Sequence, residues 1–250
     1  MPERQRILIS GASSGLGAGM AREWAARGRD LALCARRLDR LETLRGELLA
    51  AHPGIRVAIR ALDVNDHDAV FRVVKELRAE LGGLDRIVVN AGLGKGQPIG
   101  TGYFYANRQT AQTNFLGALA QCEAAVEVFR EQDDGHLVVI ASISALRGMR
   151  KNLTTYAASK AAVATLAEGI RSDLLRTPIR VTTIYPGYIE SEMTARAPTT
   201  RFMVDNASGT RAIVRAIERE PVRAYVPWWP WAPIGFAMKR VPLTLVRRFF

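Results

Sequence analysis

The chain has 250 residues and a formal net charge of +11, from 35 lysines and arginines against 24 aspartates and glutamates. Its three histidines lack ligand-like spacing and its two cysteines lie in apolar surroundings, so we expect neither a catalytic metal nor a disulfide. The sequence has no run of about 18 apolar residues and no N-terminal signal sequence, so we expect a cytoplasmic protein without a membrane-spanning helix. Its scattered basic residues permit anionic ligands but do not predict nucleic-acid binding.

A strand, a glycine-rich turn and a helix are predicted at the start of the chain. An apolar run at residues 6–10 is followed by Gly11, Gly15 and Gly17, and residues 16–27 have a helical pattern. Glycines let the backbone approach a pyrophosphate, whose charge is favoured at a helix N-terminus. The spacing differs from the common Gly-x-Gly-x-x-Gly fingerprint, and a purely structural turn is the alternative interpretation.

The second predicted strand, residues 31–35, ends in Arg36 and Arg37. In a βαβ dinucleotide-binding unit this strand end meets the adenosine ribose. An acidic residue there binds the 2′-hydroxyl of NAD, whereas an arginine accommodates the 2′-phosphate of NADP. The two arginines therefore favour NADP(H), and the alternative is a pair of solvated side chains at the start of a helix.

The rest of the chain repeats strands and helices as far as residue 226. Near-continuous apolar strands are typical of a parallel sheet that is covered on both faces. We predict strands at 55–61, 84–89, 136–141, 179–185 and 222–226, and helices at 38–51, 66–81, 106–130, 153–175 and 209–220. The expected fold is α/β, a single domain over residues 1–226 with a Rossmann-like doubly wound parallel sheet of about seven strands.

A tyrosine and a lysine lie four residues apart in the predicted helix 153–175. The spacing places Tyr156 and Lys160 on one helix face, about one turn apart. A free tyrosine has a pKa of about 10, and a nearby cation lowers it towards the range where proton transfer is efficient. Taken alone, the pair also fits a packed tyrosine beside a solvated lysine.

The last 24 residues, 227–250, differ from the rest in composition. They combine aromatic and basic residues with no acidic one: Trp228, Trp229, Trp231, Phe236, Lys239, Arg240, Arg247, Arg248, Phe249 and Phe250. Such a tail suits packing on the domain, contact with an oligomer partner, a lid over an apolar pocket, or a membrane surface.

Taken in order, these residues resemble the short-chain dehydrogenases/reductases, in their subclass of about this length. The resemblance spans about residues 6–226. It depends on the ordered set Gly11, Gly15, Gly17, Asp63, Asn90, Ala91, Gly92, Asn114, Ser142, Tyr156, Lys160, Pro186 and Gly187. Asp63, Asn90 and Ser142 each follow a predicted strand, where ligands bind in open α/β sheets.

The resemblance implies four catalytic residues. Tyr156 would exchange a proton with the carbonyl or alcohol oxygen, and Lys160 would lower the pKa of Tyr156 and bind the nicotinamide ribose. Ser142 would hydrogen-bond the carbonyl oxygen. Asn114 would hold a water that links Lys160 to solvent.

The resemblance also implies a cofactor site. Asp63 and Val64 would contact the adenine, and Ile189 and Ser191 would hold the carboxamide. The full expected set is Gly11, Ser13, Ser14, Gly15, Leu16, Gly17, Arg36, Arg37, Asp63, Val64, Asn90, Ala91, Gly92, Tyr156, Lys160, Pro186, Gly187, Ile189 and Ser191.

Three positions depart from the family pattern. Ser10 and Ser191 replace threonines that are usual there, and both keep a hydroxyl group. The separation of Ser142 and Tyr156 is one residue longer than is usual, so Ser144 remains an alternative to Ser142 as the catalytic serine.

The expected function is that of an NADP(H)-dependent oxidoreductase acting on a carbonyl or alcohol substrate. Residues 93–105, 144–153 and 188–206 are expected to line the substrate pocket, and their apolar content suggests an apolar substrate. The resemblance further suggests a homodimer or homotetramer, with the helices of Asn114 and Tyr156 at the interface. The alternative function is a dinucleotide-binding regulator or scaffold without turnover.

Overall fold

The protein is described from a computed structural model, which covers residues 3–194 and 202–244. Within these ranges seven strands form one sheet, parallel throughout, in the order β3-β2-β1-β4-β5-β6-β7. The strands are β1 Arg6–Ser10, β2 Asp30–Ala35, β3 Val57–Ala61, β4 Arg86–Val89, β5 His136–Ile140, β6 Arg180–Pro186 and β7 Arg223–Val226. The predicted doubly wound parallel sheet is confirmed.

Helices cover both faces of the sheet, as predicted. They are α1 Gly15–Ala25, α2 Leu38–Ala51, α3 His67–Leu81, α4 Phe104–Ala111, α5 Gly117–Gln132, α6 Thr154–Asp173, α7 Asn206–Glu218 and α8 Trp228–Met238. Buried side chains of α1, α2 and α7 pack on one face, and those of α3, α5 and α6 pack on the other. The inner strands are covered on both sides and are therefore apolar on both, which explains continuous runs such as the fully buried β2, whereas the edge strands β3 and β7 are only partly buried.

One predicted helix is not continuous. The segment predicted as a single helix over 106–130 begins at Phe104 and is interrupted by a π-helical turn, Gln112–Leu116, between α4 and α5. Such a turn contains one extra residue, and π turns inside α-helices occur frequently at functional sites. Asn114 lies in this turn and is buried.

The order of the strands determines where a ligand binds. The chain runs outward from β1 to β2 and β3, and it then returns to place β4 on the other side of β1. The crossovers leave in opposite directions at this point, which opens a crevice beyond the carboxyl ends of β1 and β4. The loops that follow these strands form the cleft described below.

Helix α8 packs against the domain through one face. Trp231 is 1% exposed and, together with Met238, joins a cluster with Ile143 and Met149. Trp228 and Trp229, by contrast, are each 69% exposed. Residues 245–250, which include four of the aromatic and basic residues noted above, lie outside the described residues. None of the helices described in residues 3–194 and 202–244 is long and apolar enough to cross a membrane.

Candidate active site

The turn between β1 and α1 depends on glycines because the backbone is crowded there. Gly11 has φ of +67°, and a Cβ at this position would lie 2.9 Å from the Cα atom of Ala91. A Cβ at Gly17 would lie 2.4 Å from the carbonyl oxygen of Gly11. Gly11 and Gly15 line the cleft, whereas Gly17 lies behind the turn. Gly17 therefore allows close packing and does not line the cleft among the described residues.

Ser10 and Asn90 join the ends of β1 and β4. The Ser10 hydroxyl oxygen accepts hydrogen bonds from the backbone N–H groups of Asn90 and Ala91, at 3.0 and 3.1 Å. The Asn90 side-chain amide donates to the Ser10 carbonyl oxygen at 2.8 Å. The serine that replaces the usual threonine therefore supplies the hydroxyl on which this junction depends.

The N-terminus of α1 is arranged to receive an anion. Ser14 occupies the N-cap position, but its side chain makes no capping hydrogen bond, and the first turn contains no acidic residue. The N–H groups and the helix dipole at such an end favour a phosphate. Ser13, Ser14 and Leu16 all line the cleft here, as predicted.

The side chain of Arg37 turns back over the glycine-rich turn. Its Nη2 donates to the hydroxyl oxygens of Ser14 at 2.8 Å and Ser13 at 3.2 Å. Arg36 is exposed, and both arginines line the cleft at the carboxyl end of β2. The structure thus brings the predicted ribose-phosphate residues together at one end of the cleft.

The loop after β3 forms the wall beside this end. Asp63 accepts hydrogen bonds from the backbone and side-chain N–H groups of Asn65, at 3.0 and 2.8 Å. A Cβ at Gly117 would lie 2.9 Å from Val64, so the glycine lets α5 approach this loop. Asp63 and Val64 both line the cleft, as do Asn90, Ala91 and Gly92 after β4.

Tyr156, Lys160 and Ser142 meet at the other end of the cleft. Lys160 is buried, and its Nζ donates to the Ile140 carbonyl oxygen at 2.7 Å. Ser142 follows β5 and forms a hydrogen bond with Tyr156. Among the described residues Ser142 lines the cleft and Ser144 does not; the backbone N–H of Ser144 instead donates to the Ser142 hydroxyl oxygen at 3.1 Å.

Burial changes the acid–base properties of this group. It raises the pKa of Tyr156, and the hydrogen bond with Ser142 partly opposes that rise. Burial also lowers the pKa of Lys160 to about 8. We expected Lys160 to lower the tyrosine pKa; here desolvation outweighs the favourable interactions, and Lys160 is not among the causes of the shift.

The π-helical turn places Asn114 close to Lys160. Its side-chain oxygen accepts from the Leu93 N–H at 2.7 Å, and its amide donates to the Leu93 carbonyl at 2.9 Å and the Ser159 hydroxyl at 3.1 Å. A Cβ at Gly92 would lie 3.4 Å from Asn114 Oδ1 and 3.6 Å from Lys160 Nζ. Asn114 therefore lies behind Gly92, close to Lys160 but outside the lining of the cleft.

The sequence profile of the short chain dehydrogenases matches residues 5–201, a stretch that contains every site residue described above. The chain belongs to the short-chain dehydrogenase family. Like other members it is an oxidoreductase. An uncharacterized oxidoreductase of Mycobacterium tuberculosis is 55% identical over 246 residues, which cover 98% of this chain and 97% of the relative.

Two solved structures extend the comparison. A short-chain type dehydrogenase/reductase from Mycobacterium marinum is 25% identical, with a TM-score of 0.81 over 90% of this chain and 96% of that one. Levodione reductase is 30% identical, with a TM-score of 0.72 over 76% of this chain and 73% of that one. The fold of this short-chain dehydrogenase is therefore shared along most of its length.

The cleft of this dehydrogenase also has lining residues outside the predicted catalytic and cofactor set, and four of them lie in the segments 93–105 and 188–206 that were expected to line the substrate pocket. Pro186, Gly187, Ile189 and Ser191 line it as predicted, and these additional residues join them: Cys34, Ala35, Leu62, Leu93, Thr113, Ile140, Ala141, Glu192, Met193 and Thr194. Most follow the ends of strands, a position that the predicted strand boundaries already indicate. Within the described ranges no group of three or more His, Cys, Asp or Glu side chains is placed to hold a metal ion.

Proposed function

We propose that this short-chain dehydrogenase is an NADP(H)-dependent enzyme that interconverts a carbonyl group and an alcohol. The observation that carries the proposal is the meeting of Tyr156, Ser142 and Lys160 at one end of a cleft whose other end holds Arg36 and Arg37. When bound there, the cofactor supplies or accepts the hydride. The chain's own side chains orient the substrate oxygen and move the proton.

In the proposed reduction Tyr156 donates a proton to the substrate oxygen. A raised pKa keeps the phenol protonated at neutral pH, and the protonated phenol is the form that donates. Ser142 holds the same oxygen by a hydrogen bond. Lys160 binds the nicotinamide ribose and, when charged, stabilises the phenolate that remains. In the proposed path a water held near Asn114 then returns a proton to Tyr156 through Lys160.

The proposed cofactor preference depends on the positive charge at the end of the cleft that holds Arg36 and Arg37. Arg37 is held over the glycine-rich turn by Ser13 and Ser14, and Arg36 lies beside it. A guanidinium group binds a phosphate through paired hydrogen bonds, which a ribose hydroxyl does not match. We therefore propose NADP(H) rather than NAD(H).

The substrate is proposed to be apolar. Leu93 and Met193 line the cleft, and Tyr188 packs edge-on against the buried Trp231 with ring centroids 5.1 Å apart. Tyr188 lies close to Tyr156, since it contributes to the raised pKa of Tyr156. Levodione, the compound in the name of one solved relative, is a suitable first carbonyl probe.

A fluorescence titration of the purified protein with NADPH and with NADH tests the proposal. A charge-assisted hydrogen bond contributes about 1.5–3 kcal/mol, or roughly ten- to a hundred-fold in affinity. NADPH is expected to bind at least about tenfold more tightly than NADH. Equal affinities would contradict the NADP(H) preference. NADPH consumption with levodione and a series of 2-alkanones then tests turnover.

The comparisons give no support to the alternative of a regulator or scaffold without turnover. A protein that only binds the dinucleotide has no use for Tyr156, Ser142 and Lys160 together. NADPH binding without turnover of any carbonyl in the series would favour this alternative.

We further propose a homodimer or homotetramer in which α5 and α6 meet the partner subunit. Leu116, which precedes α5, is 41% exposed, an apolar side chain on the surface of the helix pair. Light scattering of the native protein and of Leu116→Arg tests this arrangement. The native protein should be a dimer or larger, and the variant should dissociate.

A peripheral membrane contact through α8 is proposed from its exposed face. Trp228, Trp229 and Phe236 are exposed, and Arg240 stacks on Phe236 with its guanidinium carbon 3.6 Å from the ring centroid. Aromatic rings beside cations suit the interface of an anionic bilayer.

Vesicle flotation tests the membrane contact. Deleting the tail is a poor test because Trp231 belongs to a buried cluster. The variant Trp228→Ser, Trp229→Ser, Phe236→Ser keeps that cluster and should float less with phosphatidylglycerol vesicles than the native protein. Equal flotation of the two proteins would contradict the contact.

A further inference from the structure

A carboxylate of the chain occupies the place where a 2′-phosphate is expected. Glu192 Oε2 lies 3.1 Å from Nη1 and 3.2 Å from Nη2 of Arg37. Its Oε1 pairs with Nη1 of Arg40, and its carboxylate also forms a hydrogen bond with Ser14. Arg37 was assigned above to the ribose phosphate, together with Arg36. One of the two arginines that would bind that phosphate therefore already holds an anion.

Glu192 belongs to a short segment that lies across the cleft. We name residues 189–194 the strap. Ile189 anchors one end by a bridge to Val204, and Ser191 approaches Gly15, where a Cβ would lie 3.3 Å from the Ser191 Cβ. Met193 reaches the opposite wall, since a Cβ at Gly94 would lie 3.0 Å from its Cγ. Glu192 thus ties the strap to the ribose-phosphate end of the cleft.

The ion pairs of Glu192 are of a kind that a ligand can displace. The Glu192 side chain is 54% exposed, and those of Arg37 and Arg40 are 39% and 46% exposed. Exposed ion pairs contribute little each, because water screens them and long side chains lose freedom in forming them. Arg40, then Arg37 and Ser14, hold the pKa of the Glu192 carboxyl below its usual range, so it remains charged at neutral pH.

We propose that Glu192 is a specificity-determining residue, an internal anion that competes with the cofactor's 2′-phosphate for Arg37 and Arg40. NADP(H) binding displaces Glu192 from the arginines and frees this attachment of the strap. NAD(H) has no 2′-phosphate to compete, so Glu192 keeps its ion pairs when NAD(H) binds. The inference rests on the proposed assignment of Arg37 to the phosphate, and it adds that Glu192 reduces the preference for NADP(H).

The variant Glu192→Gln tests the competition, with Glu190→Gln as the matched control. Both changes remove one exposed acid from the strap, but Glu190 does not line the cleft among the described residues. Glu192→Gln should bind NADPH about tenfold more tightly than the native protein and change NADH affinity by less than about twofold. Glu190→Gln should leave both affinities within about twofold.

Competition with two smaller anions separates the phosphate from the rest of the cofactor. Bound NADH, whose affinity the substitution should leave nearly unchanged, should be displaced more effectively by 2′,5′-ADP from Glu192→Gln than from the native protein. Displacement by 5′-AMP, which lacks the 2′-phosphate, should be the same for the two proteins. Equal gains for both nucleotides would overturn the inference, because they would mean that the strap opens for every nucleotide.

Failure of this inference is distinguishable from failure of the proposed cofactor. If the native protein prefers NADPH but Glu192→Gln binds it no better than Glu190→Gln does, the internal competitor is refuted and the cofactor assignment stands. If the native protein shows no preference but Glu192→Gln gains one for NADPH, the competitor is supported and the native preference is refuted. Weaker NADPH binding by Glu192→Gln would overturn the inference outright.

Discussion

Charged groups are buried at both ends of the parallel strands, but their partners differ. We call the amino ends of the strands the amino edge of the sheet and the carboxyl ends the carboxyl edge. At the amino edge lies what we name the basal ion cluster: Arg4, Arg86, His136, Glu218 and Glu220. At the carboxyl edge, Tyr156 and Lys160 lie beside the cleft. The contrast shows which buried polar groups serve stability and which are kept for a ligand.

In the basal ion cluster the partners are other side chains of the protein. Arg86, 1% exposed, pairs with Glu218 at 2.7 Å and with Glu220 at 3.4 Å. Its Nε donates to Nδ1 of His136 at 2.9 Å. Burial, then Arg86 and Arg4, lower the pKa of His136 well below its ordinary value, so the ring is neutral and accepts this bond. A buried charge is tolerated here because carboxylates compensate it.

At the carboxyl edge the polar groups face the cleft. Lys160 has three N–H donors, and one of them donates to the Ile140 carbonyl. Burial lowers its pKa to about 8, and none of the ion pairs formed among the described residues includes it. We infer that stability was given up at this edge so that donors remain available to a cofactor and a substrate.

The largest expected effect at the carboxyl edge follows from Tyr156→Phe. Removing a positioned general acid should lower kcat/KM by about 10²–10⁴-fold, while Tm and NADPH affinity stay near the native values. Tyr185→Phe is the control, because Tyr185 packs on Tyr225 at 5.3 Å and lies outside the cleft. NADPH consumption with a carbonyl substrate measures the effect. Unchanged turnover would remove Tyr156 from the proton step.

Arg86→Ala, at the amino edge, should lower the stability of the protein and leave NADPH binding unchanged. It leaves Glu218 without its buried cation and Glu220 with Arg4 alone, so the free energy of unfolding should fall by about 3–5 kcal/mol. NADPH affinity of the folded protein should not change. Urea denaturation measures the loss. The unfolding free energy of Arg86→Lys should lie between those of the native protein and Arg86→Ala, because lysine keeps the charge without the guanidinium fork.

The control for Arg86→Ala is an arginine with a single partner on the surface. Arg22 pairs with Glu47 at 2.7 Å, and both side chains are about half exposed, at 53% and 50%. Arg22→Ala should cost less than about 1 kcal/mol. If the two substitutions cost the same, the basal ion cluster is not a stabilising element and the comparison between the edges fails.

Ser142→Ala should reduce turnover more than Ser144→Ala. Loss of one donor to the reacting oxygen lowers kcat by about 10²–10³-fold in comparable sites. Ser144→Ala keeps the backbone N–H that donates to Ser142, so its effect should be much smaller. The two variants are to be compared in kcat with the same carbonyl substrate. The reverse order would transfer the role to Ser144.

Local pattern was enough to predict the sheet and to place Tyr156 and Lys160 on one face of a helix. Strands such as β2 are buried on both faces, so their composition alone identifies them. The i,i+4 spacing fixes two side chains on one helix face without reference to the rest of the fold. Which of Ser142 and Ser144 lines the cleft depends on the path of the chain after β5, which spacing does not supply.

Other features depend on contacts between distant residues. Glu192 and Arg37 are 155 positions apart, and no local pattern pairs them. The π-helical turn at Asn114 has no signature in hydrophobic periodicity, because one extra residue shifts the pattern only slightly. Trp231 and Trp229 have the same composition around them, yet one is buried and the other exposed. Tertiary packing decides each of these cases.

The smallest predicted effect concerns stability at the carboxyl edge as a function of pH. Lys160 loses its proton at about pH 8 in the folded protein, against an ordinary pKa of 10.5. Between these values the unfolded chain binds more protons, so the contribution of Lys160 to stability rises with pH. The native protein should therefore gain stability relative to Lys160→Met, by at most about 3 kcal/mol, between pH 7 and pH 10.5.

An exposed lysine with the opposite shift is the control for this experiment. Lys75 pairs with Glu127 at 2.8 Å, which raises its pKa. Its contribution to stability is present at neutral pH and is lost as the pH rises through the raised value, so Lys75→Met should change the pH profile in the opposite direction. Urea denaturation at a series of pH values measures both differences. Parallel profiles for the native protein and Lys160→Met would mean that the ammonium at the cleft is compensated as fully as Arg86, which would end the distinction between the two edges.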